Sequence, residues 1–290
     1  MWECAQQWQT VPMTTASPVV RRRRLGLELK RLREAAGMKG SEASRNLKWS
    51  ASKLSRIEAG RSTPTPADVT RLLDLYRVED SEQREKLAKL TREARKKGWW
   101  QLYSDVPYST YIGLEAEAES MLTYQNVIPG LFQTSRYAEE INRATVPGLS
   151  EEALEQRLDV RMQRQQVLTG ANALEVRAVL DESALRRLVG GAEVMREQLD
   201  RLLELADLPN VLLQAIPFSS GAHPGTLEGP FNILRFPHQE DPDVVYVEAN
   251  SDPYPGDTQR YEVLFDNLRA NAMSVPQTLA MIRNMVKKEL

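Results

Sequence analysis

One short helical pattern in the first third of the chain carries polar side chains that could contact nucleic acid. Its apolar residues fall three apart and face inward, at Ala51, Leu54 and Ile57. The opposite face then carries two short hydroxyls and two cations, Ser52, Lys53, Ser55 and Arg56. Lys and Arg can donate to guanine O6 and N7, and Ser can bond base edges or phosphate. The pattern therefore indicates a face that can enter a DNA groove, with an ordinary solvated helix face as the alternative.

The residues around this pattern extend the candidate set. Ser50 precedes the helix and is a suitable N-cap, with a hydroxyl that accepts a backbone N–H of the first turn. The positive end of the helix dipole favours a phosphate nearby. With the flanking cations, the predicted DNA-binding residues are Ser50, Ser52, Lys53, Ser55, Arg56, Arg45, Lys48 and Arg61.

Catalytic chemistry finds weaker support. His223 and His238 lie in Gly- and Pro-containing stretches without metal-ligand spacing, so we interpret both as surface histidines. Asp181 and Glu182 could work with Glu248 as an acid–base pair, but acids are also favoured where a helix begins, and we prefer that interpretation. The sequence also has no glycine-rich phosphate loop. From these three observations together, we expect no enzyme, no metal site and no cofactor.

The polar face depends on two helices joined by a tight turn between Ser41 and Gly60. Ala43 and Leu47 line one side of the first helix, and Lys48-Trp49-Ser50 forms the connection. Gly60 is placed to end the second helix in a left-handed conformation. This arrangement predicts a helix-turn-helix.

Three further helical patterns flank these two. A first helix has Leu25, Leu29 and Leu32 as its apolar stripe and ends at Ala36-Gly37. A fourth starts at Thr65-Pro66-Ala67-Asp68, with Thr as N-cap and Pro at the first helical position. A fifth is capped by Ser81 and runs toward Lys97. Residues 21–97 are thus predicted to form a five-helix domain with one small core.

Length and charge separate this domain from the rest. A chain of 290 residues suits two domains. Residues 21–97 hold 22 Lys and Arg against 11 Asp and Glu, a net charge of +11, whereas residues 98–290 hold 16 against 28, a net of -12. The basic domain is expected to attract double-stranded DNA, and the acidic one a protein or a small molecule.

The first 20 residues are predicted to be a disordered tail. Arg21 to Arg24 then forms a four-arginine run directly before helix one, either as an arm on the DNA backbone or as a solvated tail. Cys4 is the only cysteine, which fits a reducing cytoplasm. Since the sequence has no apolar run of eighteen residues and Met1 to Ser17 lacks signal-peptide features, we expect no membrane contact.

Residues 98–110 are rich in Trp and Tyr and are predicted to be an inter-domain linker, packed on the second domain or, alternatively, stacking a ligand or a base. Residues 111–290 read as α+β. Helical patterns are predicted from Ile112 through Leu122, around Tyr137 to Ile141 and around Leu154 to Met162. Others cover Glu193 to Ala206, Tyr261 to Ala272 with Val263, Leu264 and Leu268 inside, and Ser274 to Leu290.

About four strands complete this second domain. They are predicted at Leu174 to Leu180, Val211 to Ile216, Phe231 to Phe236 and Val244 to Val247, with a loop at Gly225 to Gly229. The fold class is therefore mainly α and α+β overall, a five-helix domain followed by an α+β domain with a small sheet.

The chain resembles, over roughly Leu25 to Val78, the lambda-repressor-like, Xre-type helix-turn-helix family in its actinobacterial form, in LGLELKRLREAAGM and SASKLSRIEAGRSTPTPADVTRLLDLY. The resemblance implies that Ser50 to Glu58 is the recognition helix and that Glu58 pairs with an arginine of helix one, which we assign to Arg33. Many members have a capping Thr and a phosphate-binding Gln at the start of helix two. This chain has Lys39 and Gly40 there.

The second part resembles, over roughly Tyr111 to Met285, the uncharacterised domain that follows the helix-turn-helix in many actinobacterial regulators. The motifs include RLDVRMQRQQVL, VLDESALRRLVGG and LPNVLLQAIPF. Members are described as antitoxin-like regulators encoded beside a small partner protein, which implies a protein ligand.

Together these features predict a cytoplasmic, sequence-specific DNA-binding transcriptional regulator whose second domain binds a small partner protein or effector. One helix-turn-helix reads only a short half-site, so we expect a homodimer. The alternative is a protein-interaction module that uses its helical domain only for docking.

Overall fold

A computed structural model describes residues 17–103, 108–247 and 258–288. They form two compact units that divide between Leu102 and Tyr103. Of the predicted tail, residues 1–16 lie outside the described residues, and residues 17–20 are buried at the start of the first helix. Residues 98–110, the predicted linker, span the division. Trp99–Leu102 forms a 3-10 turn there, and residues 104–107 lie outside the description.

The first unit has the five predicted helices. Their bounds are α1 Pro18–Ala35, α2 Gly40–Leu47, α3 Ala51–Glu58, α4 Pro66–Leu75 and α5 Ser81–Ala94. One core joins all five, built from residues that include Leu25, Leu29, Leu32, Ala43, Leu47, Leu54, Ile57, Leu72, Leu73 and Leu87. Full burial of such an aliphatic side chain stabilises the fold by about 1.5 to 3 kcal/mol relative to exposure.

Side-chain caps define where α4 and α5 begin. Thr65 and Asp68 form a reciprocal capping box at α4, with Thr65 Oγ1 accepting from Asp68 N at 3.1 Å and Asp68 Oδ2 accepting from Thr65 N at 3.1 Å. The predicted cap of α5 was wrong by one residue. Asp80, rather than Ser81, is the N-cap and accepts from Glu82 N at 2.9 Å, because a carboxylate at this position satisfies a free N–H as well as a hydroxyl does.

The inward set of α3 was also predicted with one residue too many. Leu54 and Ile57 are buried, but Ala51 is exposed. Residues three apart drift around a helix by about 60° per step, so Ala51 lies about 120° from Ile57 around the axis. Only Leu54 and Ile57 therefore face the core.

The four-arginine run lies inside a helix, so neither the arm nor the solvated tail is correct. Helix α1 begins at Pro18, and Arg21 to Arg24 form its second turn, all partly buried. Arg22 Nε donates to Gly60 O at 2.6 Å, and Arg21 Nε lies 3.7 Å from Glu93 Oε2. Burial lowers the pKa of Arg22. These arginines attach α1 to the end of α3 and to α5.

The second unit is α+β with a five-stranded sheet. Its strands are β1 Ser120–Gln125, β2 Glu175–Asp181, β3 Val211–Ile216, β4 Phe231–Arg235 and β5 Val244–Val247. Its helices are α6 Ser109–Glu115, α7 Ser135–Thr145, α8 Glu151–Arg164, α9 Glu182–Arg186, α10 Gly191–Leu205, α11 Gly225–Glu228, α12 Thr258–Asn271 and α13 Val275–Lys288. The loop predicted at Gly225 to Gly229 is thus the single-turn helix α11, where Gly225 packs on the Tyr124 ring.

Strand order in the sheet is β3-β2-β1-β4-β5. Strands β3, β2 and β1 are parallel, with Ser120 opposite Glu175 and Val176 opposite Val211. Strand β4 runs antiparallel to β1, with Ser120 opposite Arg235, and β5 runs antiparallel to β4. Strand β1 is therefore the centre of the sheet.

This central strand is the fifth strand and was not predicted from the sequence. The helix predicted from Ile112 through Leu122 ends at Glu115, and Ser120–Gln125 is a strand. Five of its six residues, from Met121 to Gln125, are buried. Because both faces of the strand are covered, it lacks the alternation of polar and apolar residues by which a half-buried strand is identified.

The two faces of β1 have different surroundings. Leu122 and Tyr124 join an apolar cluster with Phe231, Phe265 and Leu268, the last two from α12. Strand geometry places Met121, Thr123 and Gln125 on the other face. In α12, Val263 was predicted to be inside but is 59% exposed, because Phe265 and Leu268 form the buried stripe. Across the described residues, the helices are all too short or too polar to span a bilayer.

Candidate nucleic-acid interface

Helices α2 and α3 form the predicted helix-turn-helix. Helix α2 ends where Lys48 takes a left-handed conformation with φ 55°, and Trp49 N donates to Ser44 O at 2.9 Å. Arg71 Nη2, from α4, donates to Leu47 O at 2.8 Å and so fixes the end of α2. At the other end, Lys39 is the N-cap of α2 and makes no side-chain cap hydrogen bond, as expected where Lys39 and Gly40 replace the usual pair.

The start and end of α3 follow the prediction. Ser50 Oγ accepts from Lys53 N at 3.2 Å, which confirms Ser50 as the N-cap. Gly60 follows the helix with φ 68°. A Cβ at Gly60 would lie 2.8 Å from Arg23 Cα, so both the backbone conformation and the close approach of α1 require glycine.

Helix α3 is also attached to α1 through a paired charge. Arg33 donates from Nε and Nη2 to the two carboxylate oxygens of Glu58 at 2.7 and 2.9 Å, and from Nη1 to Met38 O at 2.8 Å. The hydrogen bond to Glu58 raises the pKa of Arg33. The pairing implied by the family resemblance is thus confirmed, and it orients α3 on the core.

Seven of the eight predicted DNA-binding residues are exposed. They lie on the second half of α2, on the connecting turn, on α3 and just after it, and they are Arg45, Lys48, Ser50, Ser52, Ser55, Arg56 and Arg61. We call these seven residues the α2–α3 surface. Within the part of the chain that the structure describes, the Arg56 side chain has no hydrogen-bond or ion-pair partner. Its guanidinium can therefore donate to an external acceptor without breaking an internal contact.

Lys53 is half-buried and differs from the other seven because its ammonium has partners within the domain. Its ammonium donates to Asp68 Oδ1 at 2.8 Å and lies 3.9 Å from the centre of the Trp49 ring. Burial alone would raise the pKa of Asp68, but hydrogen bonds from Lys53 and Thr65 outweigh it and lower that pKa. These partners compete with DNA for the Lys53 ammonium.

The contacts of Lys53 with Asp68 and Trp49 were not predicted from the sequence. Asp68 was predicted only as an acid at a helix start, and that role uses Oδ2, whereas Oδ1 reaches α3. Fifteen positions separate Lys53 from Asp68, so the contact follows from helix packing rather than from spacing along one helix.

The catalytic candidates all belong to the second unit, whereas the α2–α3 surface belongs to the first. His223 was wrongly predicted to be on the surface. Its side chain is 7% exposed, with Nε2 at 3.4 Å from Asp181 Oδ2 and the ring edge-on to Tyr124. His238 is exposed, as predicted. Glu248 lies outside the described residues.

Asp181 and Glu182 have structural partners. Asp181 caps α9 by accepting from Ser183 N at 2.9 Å, and Glu182 accepts from Phe218 N at 2.6 Å and from Arg186. The prediction that these acids begin a helix is confirmed. Among the described residues, His, Cys, Asp and Glu side chains form no group of three that could hold a metal ion.

Comparison with known families gives two matches. Residues 24–87 match a family described as a helix-turn-helix domain. Residues 108–284, more than half of the chain, match the family described as Domain of unknown function (DUF5753). The chain matches no curated protein and no solved structure significantly.

Proposed function

We propose that this chain, which belongs to the DUF5753 family and carries a helix-turn-helix domain, is a cytoplasmic, Xre-type transcriptional regulator that reads double-stranded DNA with α3. The observation that supports this proposal best is the exposed Arg56 on a helix whose position is held at both ends. Ser50 caps the start of α3, and Arg22 and Arg33 hold its end.

Within the α2–α3 surface, the side chains divide by their reach and position. We assign base contacts to Ser52, Ser55 and Arg56, which project from α3 itself, since a recognition helix reads base edges from the major groove. Arg45, Lys48 and Arg61 flank α3, and we assign them to phosphates. Lys53 then has a supporting role, because Asp68 and Trp49 hold its ammonium.

Replacing Arg56 with Ala tests this assignment. We expect the free energy of binding to the best DNA fragment, selected from a genomic pool, to weaken by about 1 to 3 kcal/mol, the cost of losing an arginine contact to a base. Fluorescence anisotropy with labelled duplex measures the affinity, and circular dichroism checks that the variant folds.

The matched control is Arg92→Ala. Arg92 is also exposed, on α5, and its guanidinium pairs with Glu85 at 2.9 Å. We expect this variant to bind the selected fragment like the unchanged protein. Equal affinities for the Arg56 and Arg92 variants would remove α3 from the proposed interface.

The second candidate function is protein docking through the helical domain. Salt separates the two, because each phosphate contact releases counterions and log affinity then falls linearly with log salt concentration. The net charge of +11 in residues 21–97 favours the DNA reader. A partner bound with little dependence on salt, together with no selected DNA, would support docking instead.

The second unit is proposed to act as a sensor, without catalysis, that binds a small partner protein or an effector, as in antitoxin-like regulators. Residues 98–290 carry a net charge of -12, which opposes direct contact with DNA. Nearly 190 residues are also far more than a dimerisation element requires.

We further propose that the chain binds DNA as a homodimer, since two helix-turn-helix modules on a two-fold operator double the length of the site. Light scattering on the complex with the selected fragment is expected to give the mass of two chains per duplex. A mass of one chain per duplex on that fragment would exclude the dimer.

A further inference from the structure

The second unit contains a cavity of about 600 Å³ on the Met121 and Gln125 side of strand β1. Helices α7 and α8 contribute to its wall, and so do the residues between β1 and α7 and side chains of α6, β4 and β5. This volume lies within the range of about 300 to 1,000 Å³ that small-molecule sites occupy.

Three arginines of α8 face this cavity. Arg157, Arg161 and Arg164 are spaced by four and three residues, which places them along one side of the helix. A Cβ built on Gly130 would lie 3.5 Å from Arg161 Nη1 and 3.7 Å from Arg164 Nη1, so both guanidinium groups approach the same point of the wall. The lining therefore presents neighbouring donors that suit a bidentate acid.

The same wall already holds one carboxylate in this way. Arg164 donates from Nε and Nη2 to the two oxygens of Glu115 at 2.8 and 2.9 Å. The Arg164 guanidinium carbon also lies 5.4 and 5.9 Å from the ring centres of Tyr111 and Tyr108. Guanidinium forks flanked by tyrosine rings form a surface that fits a carboxylate attached to an apolar or aromatic body.

Hydrogen bonds to two side chains hold Arg161 in a defined orientation. It donates from Nη1 to Gln133 Oε1 at 2.5 Å and from Nη2 to Tyr108 Oη at 3.1 Å. Gln133 is itself fixed because its Nε2 donates to Ile128 O at 2.7 Å. This arrangement preorganises the guanidinium.

Two amides on the sheet side of the cavity supply the remaining polarity. Gln125 and Asn232 are 7% and 5% exposed, and both line the cavity. Gln125 Nε2 donates to Thr123 Oγ1 at 3.1 Å and to Asn232 Oδ1 at 3.3 Å. Within the described residues, Gln125 Oε1 and Asn232 Nδ2 make no hydrogen bond to another residue, so both atoms can bond to a ligand in the cavity.

We propose that this cavity binds a small organic acid, with its carboxylate on Arg161, its apolar body against Tyr108 and Tyr111, and a second polar group on the Gln125–Asn232 pair. The described lining carries three guanidinium groups, which can only donate hydrogen bonds, so an acid that presents acceptor oxygens is favoured over a cation. The inference rests on the proposed sensing role of the second unit and names the chemical class of its effector.

Calorimetry on the full chain tests the site without DNA. The probes are three acids, benzoate, decanoate and 6-hydroxy-2-naphthoate, each compared with its primary amide. We expect at least one acid to bind at least about tenfold more tightly than its amide, since the amide keeps the shape and loses the charge. In Arg161→Met, we expect this acid–amide difference to disappear.

The matched control is Arg143→Met. Arg143 is exposed, pairs with Glu139 and Glu151, and does not line the cavity. We expect this variant to bind the acid like the unchanged protein. A second variant, Gln125→Met, changes the sheet side, and we expect it to weaken 6-hydroxy-2-naphthoate more than decanoate, which has no second polar group.

The outcomes separate the site from the proposed function. Equal binding of acids and amides, absence of binding by all three acids, or unchanged selectivity in Arg161→Met would each overturn the acid site. If Arg161→Met does not fold, the acid–amide comparison and Gln125→Met decide the question. DNA affinity, measured with and without the tightest acid, is a separate assay. A chain that binds acid but no DNA would support the acid site and contradict the proposed function as a regulator.

Discussion

Replacing Glu115 with Gln is expected to lower the free energy of unfolding of the second unit by about 3 to 5 kcal/mol, the usual cost of breaking a buried ion pair. Glu115 and Arg164 have side chains only 1% and 8% exposed. Burial alone would lower the pKa of Arg164, but Glu115 outweighs burial and raises it. Without the carboxylate, a buried guanidinium would remain with one neutral oxygen in place of two charged ones.

Urea denaturation of the full chain can follow the two units separately. All five tryptophans, Trp2, Trp8, Trp49, Trp99 and Trp100, precede Tyr103, so tryptophan fluorescence reports on the first unit. Far-ultraviolet circular dichroism reports on both. We expect Glu115→Gln to shift the part of the dichroism transition that fluorescence does not follow.

An exposed pair of the same chemistry provides the control. Glu151 accepts two hydrogen bonds from Arg143 at 2.7 Å each, on the surface of the same unit. Glu151→Gln is expected to leave the urea midpoint of the second unit nearly unchanged, because solvent screens exposed pairs. If the Glu115 and Glu151 variants shift the transition equally, burial does not determine the strength of the Arg164 pair.

Replacing Glu58 with Gln is expected to destabilise the first unit by about 3 kcal/mol, at the lower end for buried pairs, because Glu58 and Arg33 each keep 10% exposure. The substitution removes the bidentate carboxylate partner of Arg33 beneath α3 and leaves Glu34, whose Oε1 lies 3.6 Å from Arg33 Nη2, as a weaker acidic neighbour. Tryptophan fluorescence during urea denaturation measures the change.

Glu28→Gln is the control on the same helix as Arg33. Glu28 pairs with Arg31 at 2.9 Å, three residues away on the exposed side of α1. This substitution is expected to change stability by less than about 0.5 kcal/mol. A Glu58 variant as stable as the Glu28 variant would show that α3 stays packed on the core without the Arg33–Glu58 ion pair.

The first unit could be predicted well because its signals are local. The cap of α3 at Ser50, the capping residues of α4 from Thr65, and Gly60 all act within one helical turn of their own position. The pairing of Arg33 with Glu58 came from the family resemblance instead, since 25 positions separate the two residues.

The second unit shows where local patterns fail. Helical spacing through Ile112 to Leu122 continued into β1, which is buried on both faces and therefore carries no alternation. His223 follows a glycine-containing stretch typical of the surface, yet folding brings it against Asp181 and Tyr124. The Gln125–Asn232 contact joins residues 107 positions apart, and spacing along one element does not predict such a pair.

The position of β1 at the centre of the sheet has a consequence for the order of folding. Its neighbours are β2, where Ser120 meets Glu175, and β4, where Ser120 meets Arg235. Such distant partners slow folding, because a long loop must close before the contacts form. During synthesis, residues 18–94 can complete their helices and core first, whereas β1 has to wait for β4 to leave the ribosome. The apolar side chains of β1 are thus exposed longest, and chaperones are expected to meet the nascent chain there.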